Sequence, residues 1–250
     1  LPFLLREMNV PVFCTRLTRG LVDVKLKEHR LQNDAIVQTV EVGSVIDVGA
    51  FRVEFFAVSH SIPDAAGLLI HTPLGTVVHT GDFKMDHTPV MGQHTDLQRL
   101  AEVGHDGALL LAMDSTYVEI EGYTPSEQTV ADALDRVIGS AADRVIVTTF
   151  ASLISRVQIV LDAAEKYGRR VFVTGRSMVN NVQMAREMGY LRVPNGVLMT
   201  ANEMTNHPTA KTIVICTGSQ GEPTSALTRM ANGTHQNITI HPNDTVVLSS

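Results

Sequence analysis

Three apolar stretches of the chain each end at a residue whose side chain could bind a metal ion. His60 follows "FFAVS", Asp82 follows "TVVHTG", and Asp114 follows "ALLLAM". Histidine and carboxylate ligands together suit zinc or manganese, and a bound metal ion can turn water into a hydrolytic nucleophile. Asp and His after a strand also commonly serve the backbone of a turn. The spacing alone therefore leaves a metal site and ordinary turn chemistry both open.

The other histidines of this region are weaker candidates for ligands. His79 follows an apolar run and is expected to point to the other face of its strand. Asp86 and His87 are expected in an exposed turn. His71 has no further support from its surroundings in the sequence.

Strands dominate the first half of the chain and must position these side chains. "HTPLGTVVHT" predicts a hairpin that turns at residues 73–75, and "GALLLAM" predicts a buried strand that ends at Asp114. The remaining predicted strands are "AIVQTVEV", "FRVEFFAV", "GLLIHT" and "GTVVHT".

Helices and strands alternate in the second half. Thr124 is the expected N-cap of a helix over about residues 126–139, with Pro125 at its first position and Glu127 completing a capping box. The following predicted elements alternate between strand and helix, which indicates a parallel sheet covered by helices. These elements are "RVIVTTF", "SLISRVQIVLDAAEKYG", "RVFVT", "SMVNNVQMAREMG" and "TIVICT", and an apolar stripe of Ile154, Val157, Val160 and Leu161 marks the first of the two helices.

Two loops of this half could contact phosphate. Each follows a predicted strand and carries Gly and hydroxyl residues just before a helix, where backbone N–H groups attract anions. Gly and Ser are also ordinary caps of such turns, so this pattern leaves both roles open. The candidate residues are Arg176, Ser177, Thr217, Gly218, Ser219 and Gln220. No GxxxxGK[ST], GxGxxG or GxSxG motif is present, which disfavours a nucleotide cofactor and serine hydrolase chemistry.

Composition narrows the class of protein. The 250 residues are 44% hydrophobic with a net charge of −6, and no apolar run reaches the roughly 20 residues of a membrane span. Residues 1–122 carry 9 Lys and Arg against 16 Asp and Glu, whereas residues 123–250 carry 11 against 10. An acidic first half is compatible with metal binding. Cys14 and Cys216 lie far apart in apolar segments, which argues against a disulfide framework and fits a reducing cytoplasm.

Taken together, these motifs resemble the ribonuclease J family, which has a metallo-β-lactamase fold with a β-CASP insertion. The segments that carry the resemblance cover nearly the whole chain in the family's order. They are "LTRGLVDVKLKEH", "HSIPDAAG", "HTGDFKMDHTPV", "DSTYVEIEGYTPSE", "GRRVFVTGRSMVNN", "ICTGSQGEPTSALTRMANGTH" and "NDTVVLSS". The resemblance implies an α/β fold, with part of a metallo-β-lactamase αββα sandwich over residues 1–122 and part of a β-CASP domain with a parallel sheet flanked by helices over residues 123–250.

The resemblance also implies a function. Family members are metal-dependent ribonucleases with 5′→3′ exonuclease and endonuclease activity on single-stranded RNA, and they act in RNA processing and decay. Two Zn²⁺ ions are expected, with Mn²⁺ or Mg²⁺ possible, and so is a cytoplasmic homodimer or homotetramer without a membrane partner. His60 matches a metal ligand, Asp82 matches the catalytic ligand that bridges both metals, and Asp114 matches a catalytic acidic residue near the centre. The loops at residues 176–177 and 217–220 match segments that face the RNA channel.

The chain departs from the family pattern in several places. The family's HxHxDH, SGHA and PVHGE segments are absent, so the chain is expected to be an internal fragment that is inactive alone. "FASLISR" stands where the family has a sequence closer to "FASNVHR", and Tyr117 stands where Asn is usual. Two alternatives therefore remain: a metal-free RNA-binding protein on the same fold, and a small-molecule hydrolase of the metallo-β-lactamase type.

Overall fold

The computed structural model describes residues 1–249 and divides into two compact units, Leu1–Gln128 and Thr129–Ser250. Among the described residues, none of the helices is both long and apolar enough to cross a membrane. The elements of unit 1, in chain order, are α1 (Pro2–Glu7), β1 (Val12–Cys14), α2 (Arg16–Glu28), β2 (Val37–Thr39), β3 (Val45–Val48), β4 (Phe51–Ala57), β5 (Ala66–Thr72), β6 (Gly75–His79), α3 (Leu97–Asp106) and β7 (Ala108–Ala112).

A five-stranded sheet in the order β3-β4-β5-β6-β7 forms the centre of unit 1. Neighbours from β3 to β6 are antiparallel, and β6 and β7 are parallel. The predicted hairpin is confirmed, because Thr72 pairs with Gly75 across the turn. Within "AIVQTVEV" only β2 forms a strand, and it pairs with β1 outside this sheet.

Helix α3 covers one face of the sheet. Asp96 caps the helix by accepting a hydrogen bond from Arg99 N–H at 2.9 Å. The Arg99 guanidinium then makes a two-pronged ion pair with Glu54 on β4, at 2.7 and 2.9 Å. Both contacts fix the helix over the sheet, where Val103 of α3 packs in an apolar cluster with Phe56, Val58, Leu69 and Val78.

The predicted burial of "GALLLAM" is wrong, although the strand itself is present as β7. Leu109, Leu110 and Leu111 are 57%, 57% and 54% exposed. Consecutive side chains of a strand point to opposite faces of the sheet, so the described residues cover neither face of β7, which is also an edge strand paired with β6 alone among them. A continuous apolar run predicts a strand that favours burial, but it cannot show whether other parts of a fold cover that strand.

The start of α4 (Glu127–Ser140) also differs from the prediction. The helix begins at Glu127, and Ser126 rather than Thr124 caps it, since Ser126 Oγ accepts from Gln128 N–H at 3.1 Å. Glu127 N–H donates to Asp86 at 2.8 Å. Asp86 is only 4% exposed, so its expected place in an exposed turn is wrong, whereas His87 is exposed. The carboxylate of Asp86, which is distant in sequence, thus accepts the Glu127 N–H that the predicted capping box would have bound.

Unit 2 confirms the predicted alternation. Its five-stranded sheet is parallel throughout, with the order β10-β9-β11-β8-β12. After α4, its elements are β8 (Val145–Thr148), α5 (Ile154–Lys166), β9 (Arg170–Val173), α6 (Arg176–Glu187), β10 (Leu198–Met199), α7 (Ala201–Thr205), a 3-10 turn (Thr209–Lys211), β11 (Thr212–Cys216), α8 (Ala226–Ala231) and β12 (Thr245–Leu248).

The core of unit 2 is apolar and dense. Residues of β8 and β11 are buried along their whole length, as expected for central parallel strands. The predicted stripe on α5 is confirmed, since all four of its members are fully buried. Cys216 also lies in this core, where burial raises the pKa of its thiol to about 12.

One buried ion pair joins the beginnings of β8 and β12. Arg144 Nε donates to Asp244 at 3.0 Å, its Nη2 also contacts Asp244, and the same nitrogen donates to the Thr239 carbonyl at 2.6 Å. The side chains of Arg144 and Asp244 are 7% and 2% exposed. Removing one partner leaves the other charge buried without compensation.

We therefore expect Asp244→Ala to lower the free energy of unfolding by about 3–5 kcal/mol, as measured by urea denaturation. Hydrogen exchange of the β8 and β12 amides should accelerate in the same variant. The control is Glu165→Ala, which removes an exposed ion pair with Arg192 and should cost at most about 1 kcal/mol. Equal effects of the two substitutions would contradict the assigned role of Arg144.

Candidate metal site at the ends of three strands

The strands β4, β6 and β7 run in the same direction, so their carboxyl ends meet at one edge of the sheet. Lys84 N–H donates to the Ser59 carbonyl at 2.8 Å and joins the loop after β6 to the loop after β4. Phe83 N–H donates to Asp114 at 3.4 Å and joins the same loop to the end of β7. His60, Asp82 and Asp114 therefore lie on neighbouring loops.

The side chains of Asp82 and His60 make few hydrogen bonds with the rest of the described chain. Asp82 is exposed and makes no hydrogen bond or ion pair with residues 1–249. His60 is half-buried, and its only ring contact at hydrogen-bonding distance among the described residues is Nε2 to Ser61 Oγ at 3.5 Å, the outer limit of a hydrogen bond. A carboxylate and an imidazole that remain available at one sheet edge fit the ligand chemistry of zinc or manganese.

Asp114 has a different environment, because the fold occupies its carboxylate. The Thr116 hydroxyl donates to it at 2.6 Å, and Thr116 N–H donates at 3.0 Å. These hydrogen bonds lower the pKa of Asp114 against the opposing effect of desolvation, and the N–H of Phe83 and the charge of His60 make smaller contributions that lower it further. Asp114 thus stays ionised at neutral pH and holds the two loops together.

Neighbouring histidines have structural contacts instead. His79 Nδ1 accepts a hydrogen bond from Gly81 N–H at 3.0 Å. His71 contacts Thr76 at 3.1 Å and lies 3.6 Å from the Glu54 carboxylate. Across residues 1–249, no group of three or more His, Cys, Asp or Glu side chains is arranged to hold a metal ion. Among the described residues at these strand ends, His60 and Asp82 are therefore the side chains available to bind a metal ion.

The sequence did not identify two residues, Thr116 and Asp86, whose hydrogen bonds fix the loops of this region. Thr116 follows Asp114 by two residues, which is the spacing of an Asx turn, and this local signal could have identified it. Asp86 could not be found from local sequence, because its partners are distant. Burial alone would raise the pKa of Asp86, but hydrogen bonds from Ser126, Glu127 N–H and Thr88 N–H, with the charge of Lys84, lower it overall.

In unit 2, the structure brings the two candidate phosphate loops together. A Cβ on Gly175, at the start of α6, would lie 3.1 Å from Thr217 Oγ1, so the loops after β9 and β11 are in contact. Gly175 and Gly218 both have positive φ, at 96° and 121°, where L side chains are strained. A Cβ on Gly218 would also lie 2.5 Å from Ser225 Oγ, so this position requires glycine.

The six candidate residues of these loops differ in what they can offer a ligand. Thr217 is engaged, since its Oγ1 accepts from Ala226 N–H at 3.4 Å and its carbonyl accepts from Leu227 N–H at 3.1 Å. Ser219 Oγ is buried without a partner among the described residues. Arg176 and Gln220 are exposed, and Ser177 and Ser219 are half-buried.

The sequence of the chain is similar to sequences of proteins named Ribonuclease J. Residues 142–250 match the family model described as "Ribonuclease J, beta-CASP domain". Over 257 aligned residues, the whole chain is 48% identical to Ribonuclease J of Thermus thermophilus and covers 45% of that protein. It is 44% identical to Ribonuclease J of Helicobacter pylori over its full length, covering 36% of that protein. The chain thus spans less than half the length of these curated relatives.

A third relative is similar in sequence to this chain, and one solved structure is similar in fold. Ribonuclease J2 of Bacillus subtilis is 39% identical, with 99% of this chain and 45% of that protein covered. A crystal structure of a protein of unknown function from Enterococcus faecalis matches with a TM-score of 0.60 at 17% identity, covering 82% of this chain and 53% of that chain. This last likeness concerns the fold alone. The expected α/β class, with a parallel sheet flanked by helices in the β-CASP domain, is confirmed.

Because His60 and Asp82 are the available donors, we expect the 250-residue chain to bind zinc weakly. After dialysis, elemental analysis should find well under one zinc ion per chain. Asp82→Ala should reduce the residual binding in equilibrium titrations, whereas Asp47→Ala, which changes an exposed Asp on β3, should not. Tight binding of two zinc ions by this chain would contradict the expectation.

The hydrogen bonds of Asp114 predict a second measurable change. Thr116→Val removes the hydroxyl donor and should raise the pKa of Asp114 towards its ordinary value of 3.8, measured by carboxyl ¹³C NMR. The folded pKa of Asp114 lies below the unfolded one, so the stability that it contributes is present above the unfolded pKa and lost as pH falls through the folded pKa. The variant should therefore be less stable than the parent at neutral pH, and the difference should disappear in acid. Thr124→Val, which changes an exposed Thr of the same loop, should leave the titration of Asp114 unchanged.

Proposed function

We propose that this chain, which belongs to the ribonuclease J family, is part of a metal-dependent ribonuclease that hydrolyses the phosphodiester bonds of RNA. One observation carries the proposal: Asp82 and His60 remain available as ligands on loops that the Lys84–Ser59 hydrogen bond holds side by side. Side chains with so few contacts can bind a metal ion without first losing an interaction with the rest of the protein.

The residues of the chain have separate roles in this proposal. His60 and Asp82 would hold the metal ions. Bound ions lower the pKa of water and offset the charge that develops on the phosphate. Asp114 stays ionised and keeps the loop of Asp82 in place through Phe83 N–H. Zn²⁺ is the proposed metal, and Mn²⁺ or Mg²⁺ are the alternatives that carboxylate ligands also suit.

Unit 2 would bind the RNA strand. Backbone N–H groups before α6, together with Arg176 and Ser177, would contact phosphates. The adjoining loop with Thr217, Gly218, Ser219 and Gln220 would continue this surface, since Gly175 and Thr217 are in contact. Single-stranded RNA is the proposed substrate, and we propose both 5′→3′ exonuclease and endonuclease activity in cytoplasmic RNA processing and decay by a homodimer or homotetramer.

Substitution of Asp82 tests the proposal. In the whole natural protein that contains this chain, Asp82→Ala should lower RNA hydrolysis to the background rate while the circular dichroism spectrum stays unchanged. Asp47→Ala is the matched control, because it removes an exposed carboxylate from the same unit, and it should retain full activity. Undiminished hydrolysis by Asp82→Ala would refute the assignment.

Two further measurements separate the finer parts of the proposal. A circular RNA has no 5′ end, so its cleavage reports endonuclease activity, and release of mononucleotides from a 5′-labelled linear RNA reports exonuclease activity. Chelation followed by return of single metals identifies the ion. A protein that binds RNA with the same affinity before and after chelation, and never cleaves it, would instead be a metal-free RNA-binding protein.

A further inference from the structure

The loop after Asp114, residues 115–124, exposes much aromatic and aliphatic surface and is called the tyrosine loop below. Tyr123 is 100% exposed and Tyr117 is 65% exposed. Val118 and Ile120 are 77% and 66% exposed on the same loop. Contiguous exposed apolar side chains of this size mark a binding surface, whereas single ones need no explanation.

The tyrosine loop is held at both of its ends. At its beginning, Asp114 accepts hydrogen bonds from the N–H and hydroxyl of Thr116. Just beyond its end, Lys84 Nζ donates to the Pro125 carbonyl at 3.1 Å. Between them, Val118 N–H donates to the Ser115 carbonyl at 3.1 Å. The exposed side chains therefore sit on an anchored backbone, which reduces the entropy lost when a ligand binds.

Both tyrosines border hollows in the surface. A hollow of about 330 Å³ is lined by Tyr117 and Tyr123 together with Phe83 and Asp114. A second one of about 340 Å³ also includes both tyrosines, with Ile120 at its wall. Volumes of this size are at the lower end of the range for small-molecule sites, which is roughly 300–1,000 Å³. The first hollow adjoins the candidate metal site through Asp114.

The charges around the hollow disfavour a phosphate group as the ligand. Glu119 and Glu121 lie on the tyrosine loop, and the Asp114 carboxyl group lines the hollow. Lys84 is the cation of this wall, and its charge is offset by Glu127 at 2.9 Å and Asp86 at 3.6 Å. A neutral planar group does not suffer this repulsion. Every nucleobase has such a face, and exposed aromatic side chains bind bases by stacking.

We propose that Tyr117 and Tyr123 bind an unpaired nucleobase of the RNA substrate by stacking, next to Asp114. This inference rests on the proposed ribonuclease function and adds the part of the substrate that the loop recognises. Because bases inside a duplex are already stacked on their neighbours, the loop selects single-stranded RNA at the position that it contacts. Tyr117 and Tyr123 are thus assigned as substrate-positioning residues.

The test uses the whole natural protein and a phosphorothioate RNA oligonucleotide that resists cleavage, with 2-aminopurine placed at each position in turn. Tyr123→Ala and Tyr117→Ala should weaken binding by about 5- to 150-fold, the range that corresponds to loss of one stacked base. Both variants should also relieve the fluorescence quenching at one position of the oligonucleotide. Tyr123→Phe and Tyr117→Phe keep the ring and should bind within about twofold of the parent, on the scale of a lost exposed hydroxyl contact.

Leu74→Ala is the matched control, since it removes exposed apolar surface at the turn between β5 and β6, outside the tyrosine loop and without removing a ring. It should bind RNA like the parent. An oligonucleotide that lacks the base at the quenched position should bind the parent as weakly as the complete oligonucleotide binds Tyr123→Ala, and the two losses should not add. Such non-additivity shows that the ring and the base contact each other.

Several results would overturn the inference. Unchanged binding by both Ala variants would exclude stacking, and equal losses for the Ala and Phe variants would assign binding to the hydroxyl. A loss in Leu74→Ala as large as that in Tyr123→Ala would show that the loss of RNA binding does not come from the tyrosine loop. The proposed function is judged separately by cleavage: a parent protein that cleaves RNA while its Ala variants bind normally refutes the stacking alone. Ring-dependent quenching in a protein that never cleaves RNA refutes the ribonuclease and leaves the stacking supported.

Discussion

The hydrogen bond between Lys84 N–H and the Ser59 carbonyl determines how the candidate ligands of unit 1 are arranged. Strands β4 and β6 run in the same direction but are separated by β5, which places their axes about 9–10 Å apart. The loops that follow them can present His60 and Asp82 to a common ion only if they bend towards each other over the end of β5. The 2.8 Å hydrogen bond between Lys84 N–H and the Ser59 carbonyl joins these two loops.

Asp86 secures the same loop from its other end. Its buried carboxylate accepts from Thr88 N–H at 2.9 Å and from Glu127 N–H at 2.8 Å, and Lys84 lies 3.6 Å away. A buried carboxylate is stable only when it is paired and hydrogen-bonded, so these partners cannot be lost without cost. The loop that presents Asp82 is thereby fixed to the residues that begin α4. Lys84, whose charge is used in this network, is not available to attract phosphate.

The features that follow from local pattern could be predicted from the sequence. Alternation of strand and helix gave the parallel sheet of unit 2, and the hairpin at residues 73–75 followed from Pro and Gly between two strands. Residue types at strand ends identified His60, Asp82 and Asp114. Exposure of β7 and burial of Asp86 depend on the presence or absence of contacts between distant residues, so no local pattern could reveal them, whereas the Ser126 cap of α4 is a local contact with Gln128 N–H. The domain boundary expected at residues 122 and 123 stays a prediction, because the division into compact units after Gln128 reflects contacts such as that of Asp86.

The number of hydrogen bonds that each carboxylate accepts distinguishes Asp residues that look alike in the sequence. Asp82 and Asp114 both follow apolar strands, but three donors occupy Asp114 and none occupies Asp82 among the described residues. Asp114 therefore has fewer lone pairs left for a metal ion than the free carboxylate of Asp82. The same reasoning applies in unit 2, where Thr217 is engaged and Ser219 Oγ is buried without a described partner. Side chains without hydrogen bonds fit the proposed ligand role, and side chains that already accept several hydrogen bonds fit the proposed positioning role.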